Sequence, residues 1–441
     1  MRKTGYKTFR RGGIHPPYHK ELSSGKAITR APVPSRLMVP LRQQIGAPNE
    51  PLVSPGDRVT VGQKIGDADA FVSAPVHSPV AGRVEVIEDV KGFNGETVTS
   101  IIIAADAEQP PFEEQKIKPL DELSAEEIRE IAGEAGLVGM GGAAFPTRVK
   151  LSPPEDKPIE SVIINGCECE PFLTCDHRLM IERTDELVQA LGLMIRAVGA
   201  DGGVIGVESN KMDAALKLRA AVSDQPNLDV EVLEVKYPEG AEKQLIFAIT
   251  GREVPPGKLP SEVGCLVQNV GTAIALYEAA SAGKPLYERV VTVTGPGVKE
   301  PGNLIAKVGT PISTLIEACG GFLGETAKVI IGGPMTGWAQ EDLDAPVVKG
   351  TSGVVALTPE LIDVREEEAC VRCAKCVEAC PMYLMPNSIV EAVQHGDWEK
   401  AELWGALDCF ECGCCTFTCP AYIPHVEYVR KAKAEIATLK G

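Results

Sequence analysis

Between residues 30 and 105 apolar and polar residues alternate in short runs. Leu52-Val-Ser-Pro-Gly-Asp, Val59-Thr-Val-Gly-Gln-Lys-Ile-Gly, Val72-Ser-Ala-Pro-Val and Val80-Ala-Gly-Arg-Val-Glu-Val-Ile read as short strands, with Gly56-Asp57, Gly62-Gln63 and Gly82 where hairpins turn. After Leu120 the period changes. Ser124-Ala-Glu-Glu127 has the form of a capping box and predicts a helix through Ala135, while Asp185 to Val198 is amphipathic at helical spacing. Unbroken apolar runs at Val162-Ile-Ile and Val204-Ile-Gly-Val suit buried strands. From Val290 to Gly333 the pattern returns to β, in Val290-Val-Thr-Val-Thr-Gly, Val298-Lys-Glu-Pro-Gly-Asn and Gly309-Thr-Pro. From about Thr358 it is helical again, with Asn387-Ser-Ile-Val-Glu-Ala-Val and Trp398-Glu-Lys-Ala-Glu-Leu-Trp as predicted helices.

The short strands of the first third resemble the barrel-sandwich module of biotinyl and lipoyl carriers, where a lysine at a hairpin tip receives the cofactor. The equivalent stretch here, Asp67-Ala-Asp-Ala-Phe71, holds no lysine, so a structural module without the carrier role is expected. Residues 290 to 333 resemble the soluble-ligand-binding β-grasp module, a small sheet around one helix. Cys319, in the apolar helical stretch Leu315-Ile-Glu-Ala-Cys, reads as a core cysteine. The chain thus divides into an N-terminal arm (1–29), a barrel-sandwich module (30–106), an α/β domain (120–284), a β-grasp module (285–350) and an α-helical cysteine-rich domain (358–441). The fold class is multidomain α/β.

Composition narrows the function classes. A net charge of −17 leaves no basic excess to neutralise phosphates, which excludes nucleic acid as a partner. No run of about 18 apolar residues occurs; Val263 to Ala282 comes nearest and is broken by Gln268, Asn269 and Glu278. The basic N-terminus (Arg2, Lys3, Lys7, Arg10, Arg11) is not followed by an apolar stretch, so it is not a secretory signal and reads as a solvated tail, with a docking arm for a partner or an anionic surface as the alternative. With 14 cysteines and no signal peptide, a reducing compartment and metal ligation are expected rather than disulfides.

The cysteines carry the strongest signal. Cys370-x-x-Cys373-x-x-Cys376-x-x-x-Cys380-Pro381 is repeated as Cys409-x-x-Cys412-x-x-Cys415-x-x-x-Cys419-Pro420. Three closely strung thiolates wrap one side of a cubane cluster, and in paired motifs the cysteine before proline ligates the other cluster. This assigns Cys370, Cys373, Cys376 and Cys419 to a first [4Fe–4S] cluster, and Cys409, Cys412, Cys415 and Cys380 to a second. Structural zinc favours two C-x₂₋₄-C pairs across a longer loop, which this spacing fits badly. Cys414 breaks the ligand spacing and reads as a spare. The helices predicted between the motifs point to an α-helical ferredoxin domain.

The second informative stretch is Gly136-Leu-Val-Gly139-Met-Gly141-Gly142-Ala-Ala-Phe145-Pro-Thr-Arg-Val-Lys150. Gly139 to Ala144 matches G-x-G-x-x-A, but a helix rather than a strand precedes it, against the usual dinucleotide fingerprint. Glycines still permit close backbone approach to a phosphate or flat ring, and Lys150 offers a positive charge; the bland alternative is a tight helix-to-loop turn. Next, Asn165-Gly-Cys167-Glu168-Cys169-Glu170-Pro171 and Cys175-Asp176-His177 follow a buried strand, where α/β proteins bind ligands. The spacing of Cys167, Cys169 and Cys175 matches no common metal pattern, and small buried cysteines are the simpler account.

Gly139-x-Gly-Gly-Ala-x-Phe-Pro-Thr-x-x-Lys150, Asn165-x-x-Glu168-x-Glu170-Pro and Tyr237-Pro-Glu-Gly240-Ala-Glu242-Lys resemble the FMN- and NADH-binding flavoprotein subunit of respiratory complex I. Gly12-Gly-Ile-His-Pro-Pro, Leu22-Ser-Ser-Gly-Lys, the leading barrel-sandwich and the doubled cysteine motif make the chain more similar still to the RnfC family of Rnf electron-transport complexes. The resemblance implies an FMN site at Gly139, Gly141, Gly142, Lys150, Asn165, Glu168, Tyr237, Gly240, Glu242, Asn269 and Thr272, with Phe145 and Glu170 on the NADH-facing side. Met140, Cys167 and Ala241 stand where the complex I flavoprotein has arginine, aspartate and glutamate. It further implies an NADH:ferredoxin-type oxidoreductase subunit of a membrane-bound, ion-translocating complex. Such a protein holds FMN, NAD(H) and two [4Fe–4S] clusters, and sits peripherally on the cytoplasmic face of the membrane among partner subunits. The alternatives are a soluble flavin/iron–sulfur reductase of the cobalamin-reductase type and a cluster-carrying scaffold without flavin.

Overall fold

A computed structural model of the chain describes residues 5–440. The α/β domain is organised by four parallel strands in the spatial order Leu228–Leu233, Gly202–Glu208, Ser161–Gly166, Cys265–Asn269. Alternate residues of one strand face opposite layers. Val162 and Ile164 join the core beneath helices Ala125–Glu134, Thr184–Val198 and Val270–Ala282, whereas Ile163 packs with Leu245 and Ile246 of helix Glu242–Thr250. The capping box forms as expected: Glu127 N donates to Ser124 Oγ, and Ser124 N donates to the Glu127 carboxylate. The most membrane-like stretch of the sequence is divided between a strand and a helix, and no helix among the described residues is long and apolar enough to cross a membrane.

The barrel-sandwich core is built from Leu37, Val39, Val59, Ile65, Val76, Val84, Ile101 and Ile103. Its strands include the long hairpin Gly82–Lys91 and Thr97–Ala105. The β-grasp sheet is mixed and six-stranded, wrapped on helix Ile312–Ala318. Its edge strand, Ile28–Arg30, pairs in parallel with Gly302–Lys307 and comes from the far N-terminal side of the chain. Cys319 caps that helix and is buried in its core. Helices Pro386–Gln394, Trp398–Leu403 and His425–Lys440 enclose the core of the cysteine-rich domain. Lys349 locks the first three modules together: fully buried, its Nζ donates to the carbonyls of Pro75 at 2.6 Å and Gly136 at 2.7 Å.

The N-terminal segment departs from expectation. Arg2 and Lys3 lie outside the described residues, but from Lys7 onward the segment is no solvated tail. Lys7 bridges to Leu233 and its ammonium pairs with Glu231 at 2.6 Å, while Phe9 and Ile14 are buried. Ile14 and Tyr237 exchange backbone hydrogen bonds of 2.8 and 2.9 Å, and Gly13 N donates to Ala379 O at 2.9 Å. The buried Lys20 ammonium donates to three main-chain oxygens, those of Glu168, Glu170 and Leu173. Contacts more than a hundred residues away along the chain hold this segment, and its own composition gives no sign of them.

Gly12 shows why the segment needs its glycines. Its φ is +72°, and a Cβ there would stand 2.5 Å from Cys380 O and 2.7 Å from Pro381 N. Gly12→Ala is therefore expected to destabilise the protein by about 2–3 kcal/mol, through left-handed strain and main-chain overlap. Gly25→Ala, which meets nothing within 4 Å, should stay within about 0.5 kcal/mol. Thermal denaturation of the two variants side by side checks this; equal melting temperatures would contradict the packing described here.

Candidate functional site

The strand order reverses between Ser161–Gly166 and Cys265–Asn269, and a doubly wound sheet binds ligands in the crevice beyond the carboxyl ends at such a reversal. Asn165 and Asn269 stand there side by side, in register. The glycine loop comes from before the first strand, not after it, and folds over this crevice. Thr272 fixes it from both directions: Met140 N donates to Thr272 Oγ1 at 2.8 Å, and that hydroxyl donates to Val138 O at 3.2 Å. Arg289, buried below, donates to Met140 O at 3.2 Å. Gly141, Gly142 and Ala143 remain exposed, and a Cβ on Gly142 would meet nothing within 4 Å.

The other residues expected at the site gather round this crevice. Lys150 Nζ donates to Glu242 at 2.7 Å and to Val267 O at 2.6 Å. Asn165 Nδ2 donates to Gly240 O at 2.7 Å, and Gly240 lies so close to Asn165, Cys167 and Cys169 that a Cβ would come within 3.4 Å of each. Asn269 caps helix Val270–Ala282 through Thr272 N and donates to Asp176 Oδ2 at 2.7 Å. Glu168, at a left-handed φ of 44°, accepts from Asp176 N and His177 N and so caps helix Cys175–Glu182. Phe145 is half-buried at the end of the glycine loop.

Two expected residues face elsewhere. The Glu170 carboxylate accepts from Met335 N at 3.1 Å and from the Thr336 hydroxyl, which ties it to the β-grasp module. Tyr237 is buried, and its hydroxyl donates to Cys412 O at 2.8 Å. Asp176 and Arg289 are site residues that the sequence did not single out. Arg289 lies in a strand that reads as core, and Asp176 looked like one polar residue among several in its loop. Cys167 and Cys175 are buried as expected, and Cys169 is half-buried beside Tyr237.

FMN suits this donor set. Its phosphate needs N–H groups and a cation, which the open glycine stretch and Lys150 offer. Its ribityl hydroxyls would need donors and acceptors of the kind that Glu168, Glu242, Asn165 and Asn269 carry.

The two cysteine motifs fold alike. Arg372 and Glu411 occupy the same place in their motifs and both have left-handed φ, of 56° and 60°. Ala374 and Gly413 (60° and 79°) match in the same way, as do Tyr383 and Tyr422 (57° and 54°). Repeated left-handed turns at non-glycine residues are costly and are kept where they wrap the chain about something. A small pocket is lined by Cys380, Cys409, Cys412 and Cys415 among apolar neighbours. Burial pushes the Cys409 thiol up to about 11, with Cys412 and Cys380 adding to it; burial also raises Cys415, with Cys412, Cys409 and Cys380 adding. For Cys376 the thiols that add to burial are Cys419 and Cys370. The thiols thus sort into two neighbourhoods, one on each side of the crossed pattern. Cys414 is fully buried against Tyr237 O.

Burial first, and then the neighbouring Glu168 carboxylate, raises the pKa of Asp176. In the unfolded chain an aspartate ionises near 4 (~3.9), so folding retains a proton above that pH, and the stability this group contributes falls as pH rises. Asp176→Asn should therefore be stabilised relative to the unsubstituted protein at pH 8, and that advantage should be clearly smaller at pH 5. Melting temperatures of both proteins at the two pH values decide it, and a difference independent of pH would contradict the assignment.

Comparison with known proteins adds family to geometry. Residues 7–108 match the RnfC barrel sandwich hybrid domain, 132–278 the Nuo51 FMN-binding domain, 290–339 the SLBB domain and 362–420 the 4Fe-4S dicluster domain. The C subunit of the Na(+)-translocating ferredoxin:NAD(+) oxidoreductase complex of Acetobacterium woodii is 44% identical over 97% of this chain and 96% of its own. Its proton-translocating counterpart from Clostridium ljungdahlii is 43% identical over 96% and 93%. The C subunit of the ion-translocating oxidoreductase complex of Rhodobacter capsulatus is 40% identical over 97% and 83%. Among solved structures, an NAD+-reducing [NiFe]-hydrogenase in its H2-reduced state shares the fold, with a TM-score of 0.50 at 20% identity over 72% of this chain and 62% of that one. With an FMN-binding domain and a dicluster domain on one chain, and near full-length identity to these relatives, the protein belongs to the RnfC family, the C subunits of ion-translocating ferredoxin:NAD(+) oxidoreductase complexes.

Proposed function

We propose that this chain is the NAD(H)-facing member of such a complex, carrying electrons between the nicotinamide dinucleotide and ferredoxin-linked partners by way of FMN and two [4Fe–4S] clusters. One observation carries the reading: the crevice and the second cysteine set meet at a single seam. Gly240 adjoins Asn165 at the crevice, and three residues earlier Tyr237 donates to Cys412 O. Gln244, on the helix that Glu242 opens, donates to Pro381 O next to Cys380. Cys370 and Cys373 are exposed on the first set. The cluster held by Cys380, Cys409, Cys412 and Cys415 therefore lies on the flavin side, and the one held by Cys370, Cys373, Cys376 and Cys419 lies outward, toward a partner.

FMN, when bound, supplies the exchange between the two electrons of a hydride and the single electrons that clusters carry. The chain's residues position rather than react. Gly139, Gly141 and Gly142 let the main chain approach the phosphate, with Lys150 opposite it. Glu168, Glu242, Asn165 and Asn269 orient the hydroxyls, Gly240 keeps room, and Thr272 holds the loop still. Phe145 borders the NADH side, while Glu170 fixes the β-grasp loop Gly333–Thr336 against the domain seam. Attachment to the cytoplasmic face of the membrane, through other subunits, belongs to the same proposal.

Anaerobic titration of the purified holoprotein with NADH tests it. Flavin absorbance should bleach, and signals of reduced clusters should appear in low-temperature electron paramagnetic resonance. Lys150→Ala should keep its clusters but bind flavin at least about tenfold more weakly, the loss of one charge-assisted contact. Clusters that stay oxidised under NADH, even with FMN added, would contradict the proposal.

A further inference from the structure

Beside the open glycine stretch the barrel-sandwich module holds apolar side chains out to solvent. Ile45 is 52% exposed and Phe71 is 56% exposed. Main-chain bonds place both next to the crevice: Ile45 N donates to Ala144 O at 3.2 Å, and Ala47 N donates to Val72 O at 2.9 Å. The Arg148 guanidinium, in the helical turn after the glycine loop, lies 6.0 Å from the centre of the Phe71 ring. Gly350 of the β-grasp module closes another side, where a Cβ would stand 3.4 Å from Gly142 O.

The supporting loop is rigid. Gln43 Nε2 donates to Pro40 O at 2.9 Å and Gln44 Nε2 to Ala47 O at 2.9 Å, while Asn49 Nδ2 donates to Leu41 O at 2.8 Å and Ala74 O at 2.9 Å. All three of these amide side chains are buried. Buried, paired amides thus hold in place a surface that ends in an isoleucine and a phenylalanine. Ile45 and Phe71 thus stay exposed on a fixed support beside the open glycine stretch, with the Arg148 guanidinium next to the ring.

We infer that Phe71, Ile45 and Arg148 form the subsite for the adenosine-phosphate half of the nicotinamide dinucleotide. The inference rests on the NAD(H) reading above and deepens it. A purine presents a flat face that stacks on an aromatic ring, and a guanidinium pairs with phosphate oxygens. Asp67 and Glu134, the nearby acids, are already engaged by Lys64 Nζ at 2.9 and 2.7 Å. The barrel-sandwich module, expected to be structural only, then supplies one wall of the substrate site.

Steady-state oxidation by the full-length holoprotein tests this, with NADH and with reduced nicotinamide mononucleotide, which lacks the adenosine-phosphate half. Phe71→Ala and Arg148→Ala should each lower the ratio of kcat/KM for NADH to that for the mononucleotide by about tenfold. Phe71→Trp and Arg148→Lys should retain most of the ratio. An unchanged ratio in the alanine variants, whether or not both rates fall, overturns the subsite while leaving the NAD(H) reading intact. Failure of the unsubstituted protein to oxidise either donor would overturn that reading, and the subsite with it.

Discussion

Three residues of main chain, Gly12 to Ile14, join the flavin-binding domain to the cluster domain. Gly13 bonds to Ala379, on the first cysteine motif, and Ile14 bonds to Tyr237, on the edge of the crevice. Tyr237 in turn reaches Cys412 on the second motif. Electron exchange between bound groups requires fixed spacing, and two domains joined only by a linker would not keep it. The seam is therefore built from backbone hydrogen bonds and glycines with no room for a side chain, which leave little freedom to slide. Much else follows from it, because the same N-terminal segment carries Lys20 into the turn after Glu168 and ends as an edge strand of the β-grasp sheet.

Local sequence made the elements legible. The capping box at Ser124 and the apolar strand at Val162 each depend on residues a few positions apart, and each formed where expected. The crevice was legible in its residues but less so in its geometry. Gly139-x-Gly-Gly suggested a ligand loop, yet only the sheet order shows that the loop covers a strand reversal from the wrong side of the first strand. The N-terminal segment is not legible in this way, because a basic, glycine- and proline-rich stretch looks the same in a tail as in a clamp. Lys20 and Lys349 carry no local mark at all; their partners are carbonyls from distant modules. Arg289 and Asp176 became visible as site residues only once the strands carrying their neighbours were side by side.

The two cysteine motifs share a backbone but not a setting. The first holds Arg372 and Lys375 and leaves Cys370 and Cys373 exposed. The second holds Phe410 and Glu411, the latter tied down by Arg430 at 2.8 Å and Lys433 at 2.7 Å, with Cys412 and Cys415 buried. Solvent exposure and local charge are the main means by which a protein sets a cluster's potential. One duplicated motif thus gives two settings of different character, an enclosed second set and a more exposed first set flanked by charges of both signs, Glu366 to Glu368 and Glu378 beside Arg372 and Lys375.

The most direct test of this relay is rapid-freeze electron paramagnetic resonance on a Cys380→Ala variant mixed anaerobically with NADH. The account predicts loss of the second cluster alone, a flavin that still bleaches, and a first cluster that stays oxidised because its electron donor is missing. A first cluster reduced as fast as in the unsubstituted protein would contradict the order of the relay. Loss of the first cluster rather than the second would contradict the crossed ligation on which that order depends.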